Sequence, residues 1–273
     1  MDLTHDLQYV IDLVRGAAKI VLSHFGHVER LTKRHAEAVT IADRATQRHI
    51  VAGLRKQFPA DGIIGEENDT GDAITFDCPN PNGRVWVIDP IDGTNNFVAG
   101  FPTFAVCVGL IEAGYPVLGV VYDVCRNQVY AAAKGHGATL DNKPIHALQT
   151  PLDASSILML TSNLLDKQGH LPQYAVHWIG QTAWKIRCIG SAALEASQVA
   201  AGIAHGALTV NGKLWDAAAP AAIVLEAGGL FTDLKGNPIF PFNLLNYDGA
   251  KVPFLAAGPA SHPVLLNQIL QNP

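Results

Sequence analysis

Residues 85–94 read Val-Trp-Val-Ile-Asp-Pro-Ile-Asp-Gly-Thr. Four apolar, strand-forming residues lead into Asp89, and Pro90 has no N–H for the sheet, so the strand is predicted to end at Asp89. The turn that follows can bring two carboxylates and one carbonyl, those of Asp89, Asp92 and Ile91, to face one point. Three oxygen ligands in so short a segment indicate a site for a cation.

The Gly93-Thr94 pair that closes this stretch is predicted to open a short helix, and N–H groups at the start of a helix can hold a phosphate. A simpler interpretation is that Asp92 caps this helix and Asp89 closes a turn, which would be favoured for an isolated Asp-Gly pair. An acid pair, a proline and Gly-Thr at fixed offsets favour the functional interpretation.

Two further groups of acids stand in apolar or glycine-rich surroundings: Glu66 and Glu67 follow Ile-Ile-Gly, and Asp216 follows Leu-Trp. Carboxylates beside buried strands are costly unless a cation or hydrogen-bond donors compensate them. Because the ligands would all be oxygens, with no Cys or His nearby, they favour a hard ion, Mg2+ before Zn2+. An aspartyl-phosphate hydrolase would need an Asp-x-Asp pair, and an EF-hand loop would need a glutamate that the segment after residue 94 lacks.

The composition is that of a folded protein. Of the 273 residues, 48% are apolar and 16% are charged, against about 25% charged in an average soluble chain, which excludes a disordered chain. The net charge of −5 leaves no basic footprint for nucleic acid, and no apolar run is long enough to span a bilayer. Acids near the N-terminus argue against a signal peptide, and four scattered cysteines are typical of a reducing compartment, with one disulfide left open. We therefore expect a cytoplasmic protein with neither nucleic-acid nor membrane partners.

The apolar spacing predicts an amphipathic helix over residues 4–24 and a second helix that begins at Thr40 and ends near Pro59. Strands predicted over residues 85–88, 104–111, 117–123 and 128–133 indicate an antiparallel meander with both helices packed on it. Later strands are predicted over residues 157–161, 185–189, 230–234 and 253–257, and later helices over 191–204, 216–227 and 263–270. The polar segment 143–155 marks a seam, so we expect an N-terminal half, residues 1–147, and a C-terminal half, residues 148–273.

Six motifs together resemble those of the inositol monophosphatase family. They are residues 39–43 (Val-Thr-Ile-Ala-Asp), 65–67 (Gly-Glu-Glu), 89–97 (Asp-Pro-Ile-Asp-Gly-Thr-Asn-Asn-Phe), 190–194 (Gly-Ser-Ala-Ala-Leu), 215–219 (Trp-Asp-Ala-Ala-Ala) and 226–229 (Glu-Ala-Gly-Gly). They follow the order of the family from the first helix almost to the C-terminus. The resemblance implies an α/β fold, the layered αβαβα sandwich of the inositol monophosphatase and fructose-1,6-bisphosphatase type. It also implies dependence on Mg2+, sensitivity to lithium and a homodimer.

The resemblance further implies roles for single residues, most of them in the N-terminal half. Two or three Mg2+ ions per active site would be held by Glu66, Asp89, the Ile91 carbonyl, Asp92 and Asp216, with Asp92 bridging two of them. Thr94 would hydrogen-bond the attacking water and Asp43 would orient Thr94, while Glu66 counts as a catalytic residue as well. Lys33 would lie near the metal cluster, and Glu67 would help to position water.

Substrate contacts are implied in the same way. The Gly93 and Thr94 amides would hold the phosphate, and Asp92 and Ala192 would touch a sugar or polyol ring. Family members that act on inositol carry a glutamate seven residues before the aspartate of the Trp-Asp motif, where this chain has Thr209. With Thr209 in the place of that contact, strict specificity for inositol is not expected.

Plainer interpretations of these residues stay open at this stage. Asp43 could be only the third residue of a capping box, Asp216 only the N-cap of a helix, and the Glu66-Glu67 pair only a solvated loop. The aromatic side chains near the motifs are expected to pack rather than to react: Phe97, Phe101 and Trp215. No histidine is assigned a role.

These residues predict a phosphatase that hydrolyses a phosphate monoester of a polyol or sugar, such as inositol 1-phosphate, by direct attack of water and without a phospho-enzyme. The alternatives within the superfamily are fructose-1,6-bisphosphatase, histidinol-phosphatase and 3'(2'),5'-bisphosphate nucleotidase. The sequence at residues 190–195 differs from the patterns typical of the last two, and Lys185 and Arg187 could either touch a second phosphate or decorate a strand. The competing class is a non-catalytic regulator that binds metal or phosphate on the same fold.

Overall fold

The computed structural model describes residues 3–26, 31–32, 38–39, 41–68, 74–165, 168–180 and 182–271. Within these residues the helices are α1 (Leu3–His24), α2 (Ile41–Gln57), α3 (Thr94–Ala99), α4 (Gln173–Gly180), α5 (Ala192–Ala200), α6 (Leu214–Glu226) and α7 (His262–Gln271). The strands of the first half are β1 (Leu31–Thr32), β2 (Ala38–Val39), β3 (Gly62–Gly65), β4 (Thr75–Asp77), β5 (Arg84–Asp92), β6 (Ala105–Glu112), β7 (Tyr115–Asp123), β8 (Gln128–Ala133), β9 (Ala138–Leu140) and β10 (Lys143–Ile145). Those of the second half are β11 (Ile157–Leu160), β12 (Lys185–Arg187), β13 (Gly206–Thr209), β14 (Leu230–Thr232) and β15 (Phe254–Ala257).

The larger sheet has eight strands in the spatial order β10-β9-β8-β7-β6-β5-β3-β4. Strands β5 to β8 pair antiparallel with their neighbours in sequence, so the predicted meander is confirmed. The smaller sheet has the order β12-β11-β13-β15-β14, with β11 parallel to both of its neighbours. A short pair, β1 with β2, stands apart from both sheets.

Five layers result from the way in which the helices cover the two sheets. Helices α1 and α2 pack on one face of the larger sheet, and α5 and α6 fill the space between the sheets. Helices α4 and α7 cover the outer face of the smaller sheet, where Trp178 and Leu265 pack against Leu158. The predicted αβαβα sandwich is therefore the observed architecture. The smaller sheet is built entirely from residues after 156, but the division of the chain at residue 147 stays a prediction.

The strand that leads into the acid pair is longer than predicted. Strand β5 continues through Pro90 to Asp92, and the register shifts between Asp89, which faces Cys107, and Asp92, which faces Ala105. Three residues on β5 thus span the length of two on β6, which is a β-bulge. Pro90 is tolerated because a bulge leaves a residue outside the ladder, so that its missing N–H costs nothing. The expectation that the strand ends at Asp89 was wrong, whereas the close placement of the two acids follows from the bulge.

Other predicted boundaries are confirmed or move by a few residues. The helix predicted over residues 4–24 is α1, and the strand over 128–133 is β8. The helix predicted over residues 216–227 begins two residues earlier, at Leu214. The helix predicted over residues 191–204 ends at Ala200. Thr40, the predicted start of the second helix, lies outside the described residues. The sequence analysis did not predict β3, β4, β9, β10, β13 or α4, because these elements are short and carry weak periodicity. No helix among the described residues is long and apolar enough to cross a membrane.

Two glycines bring α6 unusually close to the larger sheet. Gly109 and Gly119 face each other across β6 and β7. A Cβ on Gly119 would lie 2.2 Å from the Ala219 carbonyl oxygen, and one on Gly109 would lie 2.8 Å from the Ala219 nitrogen. Because neither contact is sterically allowed, the backbone of α6 rests directly on the sheet at this pair, and Asp216 lies one turn of helix away.

We predict that Gly119→Ala destabilises the fold by about 3 kcal/mol, since the added methyl group must push α6 off the sheet. The free energy of unfolding in urea measures the effect. Gly180→Ala is the matched control, because a Cβ there has no neighbour within 4 Å among the described residues, and we expect it to change stability by less than about 1 kcal/mol. Equal stability of the two variants would show that α6 does not depend on this close contact.

Candidate metal centre

The structure brings the acid pair of β5 together with an acid that is distant in sequence. Asp89 and Asp92 lie on either side of the bulge in β5, and Asp216 lies in the first turn of α6. One carboxylate oxygen of each of the three lies within 4.8 Å of the others. Asp89 is 2% exposed and Asp92 is 5% exposed, so these two are almost entirely withdrawn from water, whereas Asp216 is partly exposed.

Backbone donors hold two of these carboxylates in place. The Ile91 N–H donates to Asp89 Oδ1 over 3.0 Å, which the bulge makes possible by turning that amide away from the ladder. The Lys213 N–H donates to Asp216 Oδ2 over 2.6 Å. Asp216 is the third residue of α6, so the interpretation of it as an N-cap was wrong. Its carboxylate instead reaches back to the residue before the helix, as the acid of a capping box does.

Asp92 connects strand β5 with the start of helix α5. Its carboxylate accepts hydrogen bonds from the Ala192 N–H at 3.1 Å, the Ala193 N–H at 2.8 Å and the Ser191 hydroxyl, all at the start of α5. The helix that follows Asp92 in sequence is α3, and its N-cap is Gly93 with φ of 96°. The prediction that residues 93–94 open a helix is confirmed, but the Asp92 side chain caps a helix 100 residues further along the chain.

The hydrogen bonds to the three carboxylates do not offset the effects of burial and mutual repulsion, so the pKa values of all three are raised. Burial raises the pKa of Asp89 well above its usual value, and the charges of Glu66, Asp216 and Asp92 raise it further. Burial and Asp92 likewise raise the pKa of Asp216. Burial raises the pKa of Asp92 to about 6, although the hydrogen bonds from α5 oppose this shift. A bound cation would remove the repulsion, and a set of ligands composed only of oxygens fits a hard ion such as Mg2+.

Glu66 belongs to the same electrostatic neighbourhood. It follows β3, which pairs parallel with β5 and thereby places its end beside Asp89. The charge of Glu66 raises the pKa of all three clustered aspartates. Its neighbour Glu67 is 1% exposed, and the Glu67 N–H donates to Gln47 Oε1 over 3.0 Å. The interpretation of the pair as a solvated loop is therefore wrong for Glu67, which is bound into the protein.

Thr94 and Asp43 meet although 51 residues separate them. Thr94 Oγ1 lies 2.9 Å from the Ile91 carbonyl oxygen and 3.3 Å from Asp43 Oδ1. Asp43 is fully buried in the first turn of α2. A capping role alone does not explain this contact, because it connects α2 with the start of α3 beside the metal cluster.

A cleft of about 330 Å³ opens beside the cluster. Its walls are formed by residues 93–96, Phe101, Ser162, residues 188–190 and Glu66. A smaller cavity of about 160 Å³ adjoins it and is lined by Asp92, Thr161, Ser162, residues 190–192, Glu195, Thr209, Asn211, Gly212 and Asp216. Glu66 therefore lines the larger cleft, and Asp92 and Asp216 line the smaller cavity, which shares Ser162 and Gly190 with it.

Thr209 and Ala192, both predicted to contact substrate, border the smaller cavity. Thr209 is 2% exposed, and its hydroxyl has no hydrogen-bond partner within the described part of the chain. Ala192 presents its backbone, and its N–H already donates to Asp92. The two are thus brought to the same side of the metal cluster. Lys33 lies outside the described residues.

The sequence analysis missed two polar residues of this region. Ser191 contacts Asp92, as described above, and its place before an alanine-rich helix is a recognisable N-cap signal. Asn96 donates from Nδ2 to the Thr103 carbonyl at 2.8 Å and the Ile189 carbonyl at 2.7 Å, which ties α3 to the opposite wall of the cleft. No local sequence signal reveals the second of these contacts. Among the aromatic residues, Phe97 is buried as predicted, whereas Phe101 is 53% exposed and lines the cleft.

Comparison with known proteins agrees with this architecture. A model of the inositol monophosphatase family matches residues 2–271, so the chain belongs to the inositol monophosphatase family.

Three curated relatives carry different names. A fructose-1,6-bisphosphatase/inositol-1-monophosphatase of Thermotoga maritima is 34% identical over 87% of this chain and 88% of its own. A histidinol-phosphatase of Chlorobaculum parvum is 34% identical over 86% and 88%, and a Nus factor SuhB of Xylella fastidiosa is 33% identical over 83% and 81%. Among solved structures, the Thermotoga maritima IMPase superimposes with a TM-score of 0.83 at 30% identity and covers 98% of this chain and 97% of that one.

We predict that Asp89→Asn stabilises the metal-free protein by about 1 to 3 kcal/mol, because the amide relieves the repulsion and can donate to Asp216. Raised pKa values mean that the folded state of the wild type holds protons more tightly than the unfolded chain does. The free energy of unfolding of the wild type in EDTA should therefore fall as the pH rises from 5 to 7.5, and that of the variant should fall less.

Urea unfolding at both pH values, with EDTA or with Mg2+, measures these effects. Mg2+ should raise the stability of the wild type at pH 7.5 and leave Asp89→Asn unchanged. Asp12→Asn, at an exposed position on α1, is the control and should behave as the wild type does. Equal stabilisation of Asp89→Asn and the wild type by Mg2+ would contradict the assignment of Asp89 as a ligand.

Proposed function

We propose that the protein is a Mg2+-dependent phosphatase that hydrolyses a phosphate monoester of a polyol or sugar with water as the nucleophile. The observation that carries this proposal is the cluster of three carboxylates, two of them buried, of which Asp92 and Asp216 line the smaller cavity. Membership of a family whose relatives are named as phosphatases supports it. The ligands would be Glu66, Asp89, the Ile91 carbonyl, Asp92 and Asp216.

Mg2+, when bound, supplies a Lewis acid that makes water more acidic and neutralises charge on the phosphate and on the leaving oxygen. The protein provides the frame for this chemistry. The bulge in β5 brings the Asp89 and Asp92 carboxylates together, and the first turn of α6 brings Asp216 within 4.8 Å of them. The Gly93 and Thr94 amides at the start of α3 would bind the phosphate oxygens.

Thr94 and Asp43 are proposed to align the attacking water. The Thr94 hydroxyl has one proton, and in this proposal it goes to the Asp43 carboxylate at 3.3 Å and not to the Ile91 carbonyl at 2.9 Å. The oxygen lone pairs of Thr94 are then left to accept a hydrogen bond from water. The water proton can then pass to Thr94 while the threonine proton passes to Asp43, so no other base is required. The buried carboxylate of Asp43 also fixes the rotamer of Thr94. A direct in-line attack by water leaves the enzyme unmodified, with phosphate and an alcohol as products.

The lining of the smaller cavity supports a polyol or sugar as the alcohol part of the substrate. Besides the carboxylates of Asp92, Glu195 and Asp216, its polar side chains are four hydroxyl residues and an amide: Thr161, Ser162, Ser191, Thr209 and Asn211. Neutral groups of this type donate to and accept from the hydroxyl groups of a polyol or sugar. The buried Thr209 hydroxyl, which lacks a partner within the described residues, would gain one from such a substrate. Because position 209 is a threonine and not a glutamate, a preference for inositol over other polyols and sugars is not expected.

We predict that Thr94→Val lowers kcat by about 10²- to 10⁴-fold, because it removes the hydroxyl that aligns water and keeps the shape of the side chain. The concentration of Mg2+ for half-maximal rate should change little, since no metal ligand is altered. Thr139→Val is the matched control: its hydroxyl lies 3.4 Å from the Ala131 carbonyl on the larger sheet, and the rate should be that of the wild type. A Thr94→Val enzyme with normal kcat would refute the role of Thr94.

A phosphate-release screen tests the activity itself. We expect turnover of inositol monophosphates or sugar monophosphates in the presence of Mg2+, loss of the activity in EDTA and inhibition by lithium. Fructose 1,6-bisphosphate, histidinol phosphate and adenosine 3',5'-bisphosphate represent the alternatives within the superfamily. The rank order of kcat/KM across this panel identifies the substrate class.

The second candidate is a regulator that binds metal or phosphate without catalysis. One relative is named as a Nus factor and not as a phosphatase, and this name supports the second candidate. Binding of Mg2+ without turnover of any ester in the screen would support the regulator and reject the phosphatase. The assignment to the cytoplasm and the homodimer are further parts of the proposal. The oligomeric state can be measured by light scattering.

A further inference from the structure

The loop of residues 243–252, which we call the anchor loop, lies against the turn that leads into α6. Four consecutive residues of that turn are each bonded to the loop. Asn211 accepts from the Lys251 ammonium group, and the Gly212 carbonyl accepts from the Val252 N–H at 2.7 Å. The Lys213 ammonium group donates to the Gly249 carbonyl at 2.5 Å.

Tyr247 provides the fourth and most buried of these connections. Its hydroxyl accepts from the Leu214 N–H at 2.9 Å and donates to the Ala250 carbonyl at 2.8 Å. The Leu214 amide is the first of α6, and helix N–H groups in the first turn have no partner within the helix. A side chain from elsewhere in the chain thus completes the start of the helix that carries Asp216.

The Tyr247 ring is fixed by aromatic packing on two sides. It makes edge contacts with Trp215, with 6.0 Å between ring centroids, and with Phe242, at 5.7 Å. Tyr247 is 7% exposed, and burial raises the pKa of its hydroxyl, with the charge of Asp216 adding to the shift. The phenol is therefore protonated at neutral pH and keeps both hydrogen bonds there.

We infer that Tyr247 is a positioning residue, which sets the orientation of the first turn of α6 and thereby the place of the Asp216 carboxylate in the metal cluster. This inference rests on the proposed function only in taking Asp216 as a metal ligand. The argument is geometric. Lys213, whose N–H holds the Asp216 carboxylate, and Leu214, whose N–H contacts Tyr247, are adjacent residues, so a movement of one amide moves the other.

Binding of Mg2+ to metal-stripped protein, measured by isothermal titration calorimetry without substrate, tests the inference. Tyr247→Phe removes both hydrogen bonds and keeps the ring. Its Kd for Mg2+ should rise about tenfold or more, since partners that orient a ligand typically contribute this much to affinity. In the phosphatase assay, the half-saturating Mg2+ concentration should rise in parallel, while kcat at saturating Mg2+ stays within about threefold of the wild type.

Tyr130→Phe is the matched control. Tyr130 is also buried, and its hydroxyl accepts from Gln198 Nε2 at 3.0 Å, but this bond leads to α5 and not to α6. Tyr247→Phe loses two hydrogen bonds and Tyr130→Phe loses one, so both variants should lose stability, whereas only Tyr247→Phe should lose affinity for Mg2+. An unchanged Kd in Tyr247→Phe, or an equal rise in both variants, would overturn the inference.

Lys213→Met provides a second test that does not alter the core, because it removes only the bond to the Gly249 carbonyl. We expect a rise in Kd in the same direction, and this variant decides the question if Tyr247→Phe does not fold. A wild-type protein that binds Mg2+ but hydrolyses no ester would reject the proposed phosphatase and leave the binding test of Tyr247 intact. An active wild type with an unaltered Kd in the variants would reject only the role of Tyr247.

Discussion

Repulsion among the three clustered carboxylates, two of which are buried, is the constraint on which the rest of the structure depends. Asp89 and Asp92 flank the bulge in β5 and Asp216 lies on α6, and folding must overcome their mutual repulsion before any cation can compensate it. The protein meets this requirement with backbone donors. The bulge in β5, the turn before α6 and the start of α5 each direct N–H groups at one of the three carboxylates.

Asp92 has a particular place in this arrangement because its hydrogen bonds cross from the larger sheet to the start of α5. The same side chain therefore contributes to the candidate metal site and to the packing of the second half of the chain on the first. Asn96 makes a parallel connection from α3 to the Ile189 carbonyl. The cleft between these two connections is bounded by groups that cannot move independently, which favours a site whose shape exists before substrate arrives.

The sequence predicted the chemistry of the site better than the path of the backbone around it. Acids in apolar surroundings are rare enough to be recognised without a structure, and Asp89, Asp92 and Asp216 were all selected on that basis. The continuation of β5 through Pro90 was not predicted, because the rule that proline ends a strand has an exception at bulges that only pairing with β6 reveals. The contact between Asp92 and α5 was likewise out of reach, since a carboxylate can cap any helix whose start comes close to it in space. Tyr247 lies in an irregular loop without periodicity, so nothing in its neighbourhood of sequence connected it with α6.

Gly93 and Gly190 face each other across the narrow part of the cleft, and both adopt positive φ, at 96° and 73°. A Cβ on Gly93 would lie 3.1 Å from the Gly190 carbonyl oxygen, and one on Gly190 would crowd the side chain of Asn96. Bare main chain consequently forms this wall, and substitution offers no means of remodelling it. Any difference in the preferred alcohol among proteins of this architecture would have to arise on the other side of the cleft. There the side chains of Thr161, Ser162 and Thr209 line the smaller cavity.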